Sequence, residues 1–309
     1  MKAQLLTATL FTSFSGVLLA ADPLLLNLVP PDAKVVAGVN VEQAKGTQFG
    51  QWVLNQMQPD DAHMQELITL TGFDPRRDVR ELLVATTGAP HTGLALARGN
   101  FDVAKITGAA AQHGAVTEVY GNLTIIEDPK QEGGVAFLDS TTVAAGDLAS
   151  VKGAIDRQTV AQPLPASLLV KINQWSTSQD GWAISAVPPL SLVPQGTPAP
   201  PPNPMLGQVQ AVQAAAGGVK FGANVVFSGE ATCDTAQNAD TLTNLIKFGA
   251  NLALMQHGSD PNAAALIKSL NTSVSGTVMK VSASLPQDMF IQMFAVKSPV
   301  ERHVAPRKK

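Results

Sequence analysis

One local plan recurs along this chain and restricts its fold more than any other feature: a strand of alternating apolar residues, a turn carrying an acidic residue, then a helix. It appears at Leu94 to Ala110, Val143 to Ile155, Val225 to Leu252 and Val278 to Met293. Side chains alternate with period two in a strand and return every 3.6 residues in a helix, so each unit offers one apolar strand face and one apolar helix stripe to a shared core. Residue identity between the units is low, and no short-period solenoid repeat is present. The expected class is α+β: antiparallel sheets with helices packed on one face, in two related halves.

The punctuation between units is specific. Asp102 stands where an N-cap would start a helix that turns Val103, Ile106, Ala109 and Ala110 inward and closes near Gly114. Asp147 precedes a helix to Arg157, Asp234-Thr-Ala-Gln237 has the form of a capping box, and Asp260-Pro261 joins a cap to proline at the first helical position. Gly121-Asn122 supplies the positive φ angles of a tight hairpin, and Asp139-Ser140 turns a second one. Val35 to Val41 reads as a strand after Pro30-Pro31, with helical spacing at Phe49, Trp52, Val53 and Met57 and again at Met64, Leu67, Ile68 and Leu70. Glu81 to Thr86 and Thr92 to Ala97 flank Gly88-Ala-Pro90 as a pair. The first half, 22–160, therefore reads β-αα-ββ-α-ββ-ββ-α.

The second half, 161–296, opens after Pro163-Leu-Pro165 with a helix through Leu168, Leu169, Ile172 and Trp175, then a strand from Trp182 to Val187. Between Pro188 and Pro204 the chain carries eight prolines, which favour extended backbone and cannot donate to a sheet, so this stretch is expected to be an exposed loop inserted in the half. Leu206, Val209, Val212 and Ala215 suggest a short helix ending at Gly217-Gly218. Two strands broken near Gly222 follow, from Val219 to Cys233, then a long helix, a strand from Thr277 to Ser284 and a last helix opened by Pro286. Residues 297–309 form a basic tail.

Lys2 is followed by an uncharged stretch to Ala21 that holds Thr7, Thr9, Thr12, Ser13, Ser15 and Gly16 and breaks at Asp22-Pro23. That is the layout of a cleavable signal peptide, 1–21, with the cut after Ala20 or Ala21; an uncleaved anchor is the alternative. No cysteine follows the apolar stretch to accept a lipid. The expected location is periplasmic or secreted, with no stable membrane insertion after cleavage.

Removing 1–21 takes away Lys2 and no acidic residue, moving the formal net charge from −3 to −4, which argues against nucleic acid as a partner. Charged residues make up 15% of the chain against about 25% in an ordinary domain, and 45% are apolar, so a sizeable core is available. Cys233 is the only cysteine, which excludes an intramolecular disulfide. In a strand with Val225, Phe227, Gly229 and Ala231 it lies on the apolar face, as a buried structural thiol.

No catalytic, cofactor-binding or metal-ligating residue is nominated. His63 and Glu66 with Asp60 and Asp61 lack a metal-ligand spacing and read as groups of a first helical turn. Asp74-Pro-Arg-Arg-Asp78-Val-Arg80-Glu81 has guanidinium groups able to grip an anion, but its own acids neutralise them, which fits a surface turn of local ion pairs. The chain holds no G-x-S-x-G, S-x-x-K, phosphate loop or dinucleotide fingerprint.

The segment Leu26 to Asn40, with Gly72-Phe-Asp-Pro75, the strand at Leu82 to Thr86 and the stretch Gly276 to Phe290, resembles a family of uncharacterised exported proteins of environmental bacteria. The resemblance implies an α+β domain and carries no active-site residue. The expected function is an exported, non-enzymatic envelope protein that binds an unknown ligand or partner, with no cofactor. The alternative is an exported hydrolase of a cell-wall or extracellular polymer.

Overall fold

The computed structural model describes residues 20–57, 62–128, 133–192 and 209–295. The strands it describes form a single antiparallel sheet of twelve: β1 Val35–Asn40, β2 Val79–Thr86, β3 Leu94–Gly99, β4 Val116–Tyr120, β5 Leu123–Asp128, β6 Gly133–Asp139, β7 Thr142–Asp147, β8 Gly181–Ser185, β9 Val212–Lys220, β10 Asn224–Cys233, β11 Asn271–Ser275 and β12 Val278–Pro286. Their spatial order is β11-β12-β10-β9-β8-β1-β2-β3-β7-β6-β5-β4. The helices used below are α1 Pro23–Leu26, α2 Val41–Lys45, α3 Gln48–Gln56, α4 Ala62–Thr71, α5 Pro75–Asp78, α6 Val103–Gln112, α7 Leu148–Thr159, α8 Ala166–Ser178, α9 Ala236–His257, α10 Pro261–Lys268 and α11 Gln287–Ala295.

This order contains a topological two-fold. β1-β2-β3-β7-β6 on one side matches β8-β9-β10-β12-β11 on the other, strand for strand in spatial order from the centre, and β1 pairs antiparallel with β8 there. The two halves expected from the recurring plan are thus one sheet. The first half differs by the extra hairpin β4-β5 and by α2 to α5 between β1 and β2.

Helices divide between the two faces of the sheet. On the front face Val36, Leu83, Leu96, Ile125, Ala136, Ala144 and Ile184 pack with Leu25 of α1, Val151 and Ala154 of α7 and Leu168 and Ile172 of α8 in the largest core cluster. Burying each of the larger of these side chains stabilises by about 1.5–3 kcal/mol. On the back face α6 covers Phe137 and Val143 through Val103 and Ile106, and α9 covers Ala231, Cys233 and Met279 through Ala239 and Leu242. Phe290 of α11 joins Val225, Leu285 and Phe227 there, with Phe49 of α3 stacked on Phe221. Cys233 is buried, as its strand phase implied.

Most expected elements lie where the sequence places them, including caps by Asp102, Asp147 and Asp260 and the hairpin with positive φ at Gly121. Three expectations are corrected. Val212 to Gly218 is strand and not helix, because it fills the place between β8 and β10 and its side chains alternate there. Asn271–Ser275, unassigned from sequence, is the edge strand β11. The cap of α9 is Thr235, whose Oγ1 accepts from Asn238 N, while Asp234 accepts from the Asn238 side chain. Residues 1–19, the proline stretch from 193 onward and the basic tail lie outside the described residues. Among the described residues no helix is long and apolar enough to cross a membrane.

The central seam is close-packed. Gly38 sits opposite Trp182, and a Cβ added at Gly38 would lie 2.6 Å from the indole. Gly38→Ala must displace a buried ring, so it is expected to lower stability by about 1–3 kcal/mol. Urea unfolding checks this: the midpoint should fall with the slope unchanged.

Candidate functional site

The two halves differ most on the front face. In the first half, β3, β7, β6 and β5 present Leu96, Ala144, Ala136 and Ile125 there, and α7 covers them. In the second half the matching strands present Ser228, Glu230 and Thr232 from β10, Lys280 and Ser282 from β12, and Asn271 and Ser273 from β11. The closing helix α11 packs on the back face instead, so no described helix covers this polar surface beyond the edge of α8.

Between α8 and these strands lies a groove with two recesses. One, of about 320 Å³, is lined by Gln174, Trp175, Ser178 and Gln179 of α8 and its C-cap and by Ser228, Glu230, Asn271, Ser273, Lys280 and Ser282 of the sheet. The other, of about 340 Å³, is mostly apolar, with Leu168, Ile184, Ala186, Ala214 and Ala216. Glu230 lines both. Its side chain is 6% exposed and pairs with Lys171 Nζ of α8 through Oε1, while Lys280 Nζ of the neighbouring strand lies 3.8 Å from Oε2. Burial of a carboxylate is tolerated because both oxygens face ammonium groups.

Two polar groups of the groove wall find no hydrogen-bond partner among the described residues: Trp175 Nε1, a donor, and Gln179 Oε1, an acceptor. Buried groups of this kind ordinarily have partners. The groove offers hydroxyls, carboxamides and a buried carboxylate flanked by two ammonium groups, a cluster with one net positive charge. Among the described residues that line it, Glu230 is the only carboxylate, and hydrolysis of a glycosidic bond by the usual route needs two.

The residues weighed from sequence lie elsewhere. Asp74 pairs with Arg76 at 2.8 Å and Asp78 with Arg77 at 2.7 Å, and Arg77 Nη2 also donates to the Gly72 carbonyl. The cluster is a self-paired turn. Asp60, Asp61 and the His63 side chain lie outside the described residues, and Glu66 Oε1 is 3.9 Å from His113 Nε2. The groove residues were not singled out from sequence. The available signal was the polar phase of two strands, Ser228-x-Glu230-x-Thr232 and Lys280-x-Ser282-x-Ser284.

A second bare surface lies on the back face at the centre of the sheet. Val39, Leu82 and Val84 are 39%, 42% and 50% exposed there, beside Ala37, Ala95 and Ala183.

Neither a family model nor a curated protein matches the chain. Among solved structures, crystal form III of TP0453 superposes with a TM-score of 0.55 at 9% identity, covering 87% of this chain and 97% of that one. Crystal form I of the same protein gives 0.52 at 9% identity, covering 87% and 96%. The likeness is one of fold.

Two outcomes follow from this geometry. Lys171→Met leaves the buried Glu230 carboxylate with Lys280 alone and should cost about 1–3 kcal/mol, while Lys171→Met with Glu230→Gln should recover most of that loss in thermal unfolding. The guanidinium groups of Arg76 and Arg77 hold the Asp74 and Asp78 carboxyls below their ordinary range. Their contribution is present above the unfolded carboxyl pKa of about 3.9 and lost as pH falls through the lower folded values. Asp78→Asn should therefore flatten the acid limb of the stability curve, read by urea titrations from pH 7 to pH 2.

Proposed function

We propose that this chain is an exported, non-enzymatic protein of the cell envelope or its exterior, and that it binds an uncharged, hydroxyl-rich ligand in the groove between α8 and strands β9 to β12. The observation that carries this reading is the front face of the second half: where the first half is apolar and covered by α7, the second is polar and bare.

Two features support the ligand class. Hydroxyl and carboxamide side chains both donate and accept, as do the hydroxyls of a sugar. The one buried carboxylate is met by Lys171 and Lys280, which leaves the lining a single excess cation, too little to select a polyanion. The shallow apolar surface at Val39, Leu82 and Val84 supports a protein contact in addition, since apolar surface left on a sheet face commonly marks an interaction site.

The test is a thermal-shift and calorimetric screen of the chain from residue 22 against neutral trisaccharides, inorganic phosphate, nucleotides and divalent cations. A trisaccharide at about 100 times its dissociation constant should stabilise by about 2.7 kcal/mol. Asn271→Ala with Ser282→Ala should weaken that binding about tenfold or more while leaving the melting temperature of the free protein nearly unchanged. A response confined to phosphate or nucleotides would overturn the ligand class, and no response to any probe would overturn the binding reading.

A further inference from the structure

We propose that the mature chain begins at Asp22 and that the ammonium group freed there forms an ion pair with the carboxylate of Glu81. This inference shares with the functional reading only the premise of export and does not depend on the groove.

Asp22 is fixed by every polar group named here. Its backbone N–H donates to Glu81 Oε1 at 3.0 Å, its Oδ1 accepts from Leu24 N at 2.8 Å to cap α1, and its Oδ2 meets Arg98 Nε at 2.9 Å. Glu81 lies on β2 and Arg98 on β3, so the chain start is held against two neighbouring strands near the centre of the sheet.

The electrostatics of this corner are incomplete while Asp22 N is an amide. Burial holds the Glu81 carboxyl above its ordinary range, with Asp22 as an acidic neighbour, against the lowering effects of the Asp22 N–H it accepts and of the charge on Arg98, its cross-strand partner on β3. Among the described residues no lysine or arginine forms an ion pair with Glu81, and Arg98 is engaged by Asp22. Hydrolysis of the Ala21–Asp22 peptide bond consumes one water and leaves a carboxylate on Ala21 and an amine on Asp22, which is protonated near neutral pH. That places a cation on the atom already in contact with Glu81. The result alternates in sign: ammonium to Glu81, Asp22 carboxylate to Arg98.

The sequence admits a cut after either Ala20 or Ala21, and the geometry separates them. A cut after Ala20 leaves Asp22 N an amide and puts the new charge one residue away. A cut after Ala21 gives up the buried Ala21 methyl and supplies Glu81 with its counter-ion. The processing of the leader and the final stability of the fold are then linked through one contact.

The experiment is the intact mass of the full chain after export from a Gram-negative host, followed by urea unfolding of purified chains starting at Ala20 and at Asp22. A mass beginning at Asp22 is the expected result; one beginning at Ala21, or one retaining residues 1–21, overturns the proposal. At pH 7 the chain starting at Asp22 should have a folded-to-unfolded ratio about tenfold higher, which corresponds to about 1.4 kcal/mol. Glu81→Gln should abolish that advantage. The amine's pKa is raised by its partner, so the advantage is present below the unfolded amine value of about 8 and lost as pH rises through the folded one. Equal stability of the two chains at pH 7, or an advantage that persists in Glu81→Gln, overturns it. If Glu81→Gln does not fold, the loss of the advantage between pH 7 and pH 10 decides on the unsubstituted chains.

Discussion

The pairing of β1 with β8 is the contact on which the architecture depends. Five residue pairs, centred on Ala37 and Ala183, fuse two sheets that would otherwise each expose an open edge. Trp182 lies over Gly38 and Ile184 beside Val36, so the seam is sealed on the front face by a ring that only glycine admits. At the end of the seam, just before β8, Asp180 is fully buried. It accepts from Lys220 and Phe221 N through its side chain and from Asn40 N through its carbonyl, which ties β1, β8 and β9 in one register. Because the seam is antiparallel, a two-fold through it keeps each face of the sheet on its own side. The helices that follow β3 and β10 therefore both arrive at the back.

The halves part company at one join in each. Between β7 and α7, Gly146 takes a φ of 153°, and a Cβ there would lie 2.0 Å from the Gly93 carbonyl oxygen. That bend, followed by the Asp147 cap, lays α7 on the front face. The matching join between β12 and α11 is Leu285-Pro286-Gln287, without a glycine, and α11 returns over the back to Phe227 and Phe49. The residues beneath follow suit. Strands that lost their covering helix carry Ser, Thr, Lys and Asn where the first half has Leu and Ala, since apolar side chains on an uncovered face would stay in water.

Much of this fold could be read from the chain because its local signals agree with one another. Asp102, Asp147 and Asp260 cap helices, and Gly121 turns a hairpin, for reasons that act within a few residues. The misreadings occur where tertiary context prevails. The stretch from Val212 holds small residues that suit either period, and its strand state comes from partners on both sides. Asn271–Ser275 has little apolar content because it is an edge strand with its front face bare. The groove was less legible still. Its walls come from α8, β10 and β12, elements far apart in the sequence, and a polar strand phase reads equally as ordinary solvated surface.

What lifts the groove above a solvated surface is the state of its polar groups. A solvated sheet face has no reason to bury a carboxylate, yet Glu230 is buried and must be answered from two directions, by a lysine on α8 and by another on β12. Those contacts pin the helix to the strands and set the width between them. They also occupy both oxygens of the groove's carboxylate and leave the cluster with one positive charge in excess. On the reading proposed above, a cleft held by a buried carboxylate between two lysines and faced with hydroxyls and amides would recognise its ligand by shape and hydrogen-bonding pattern.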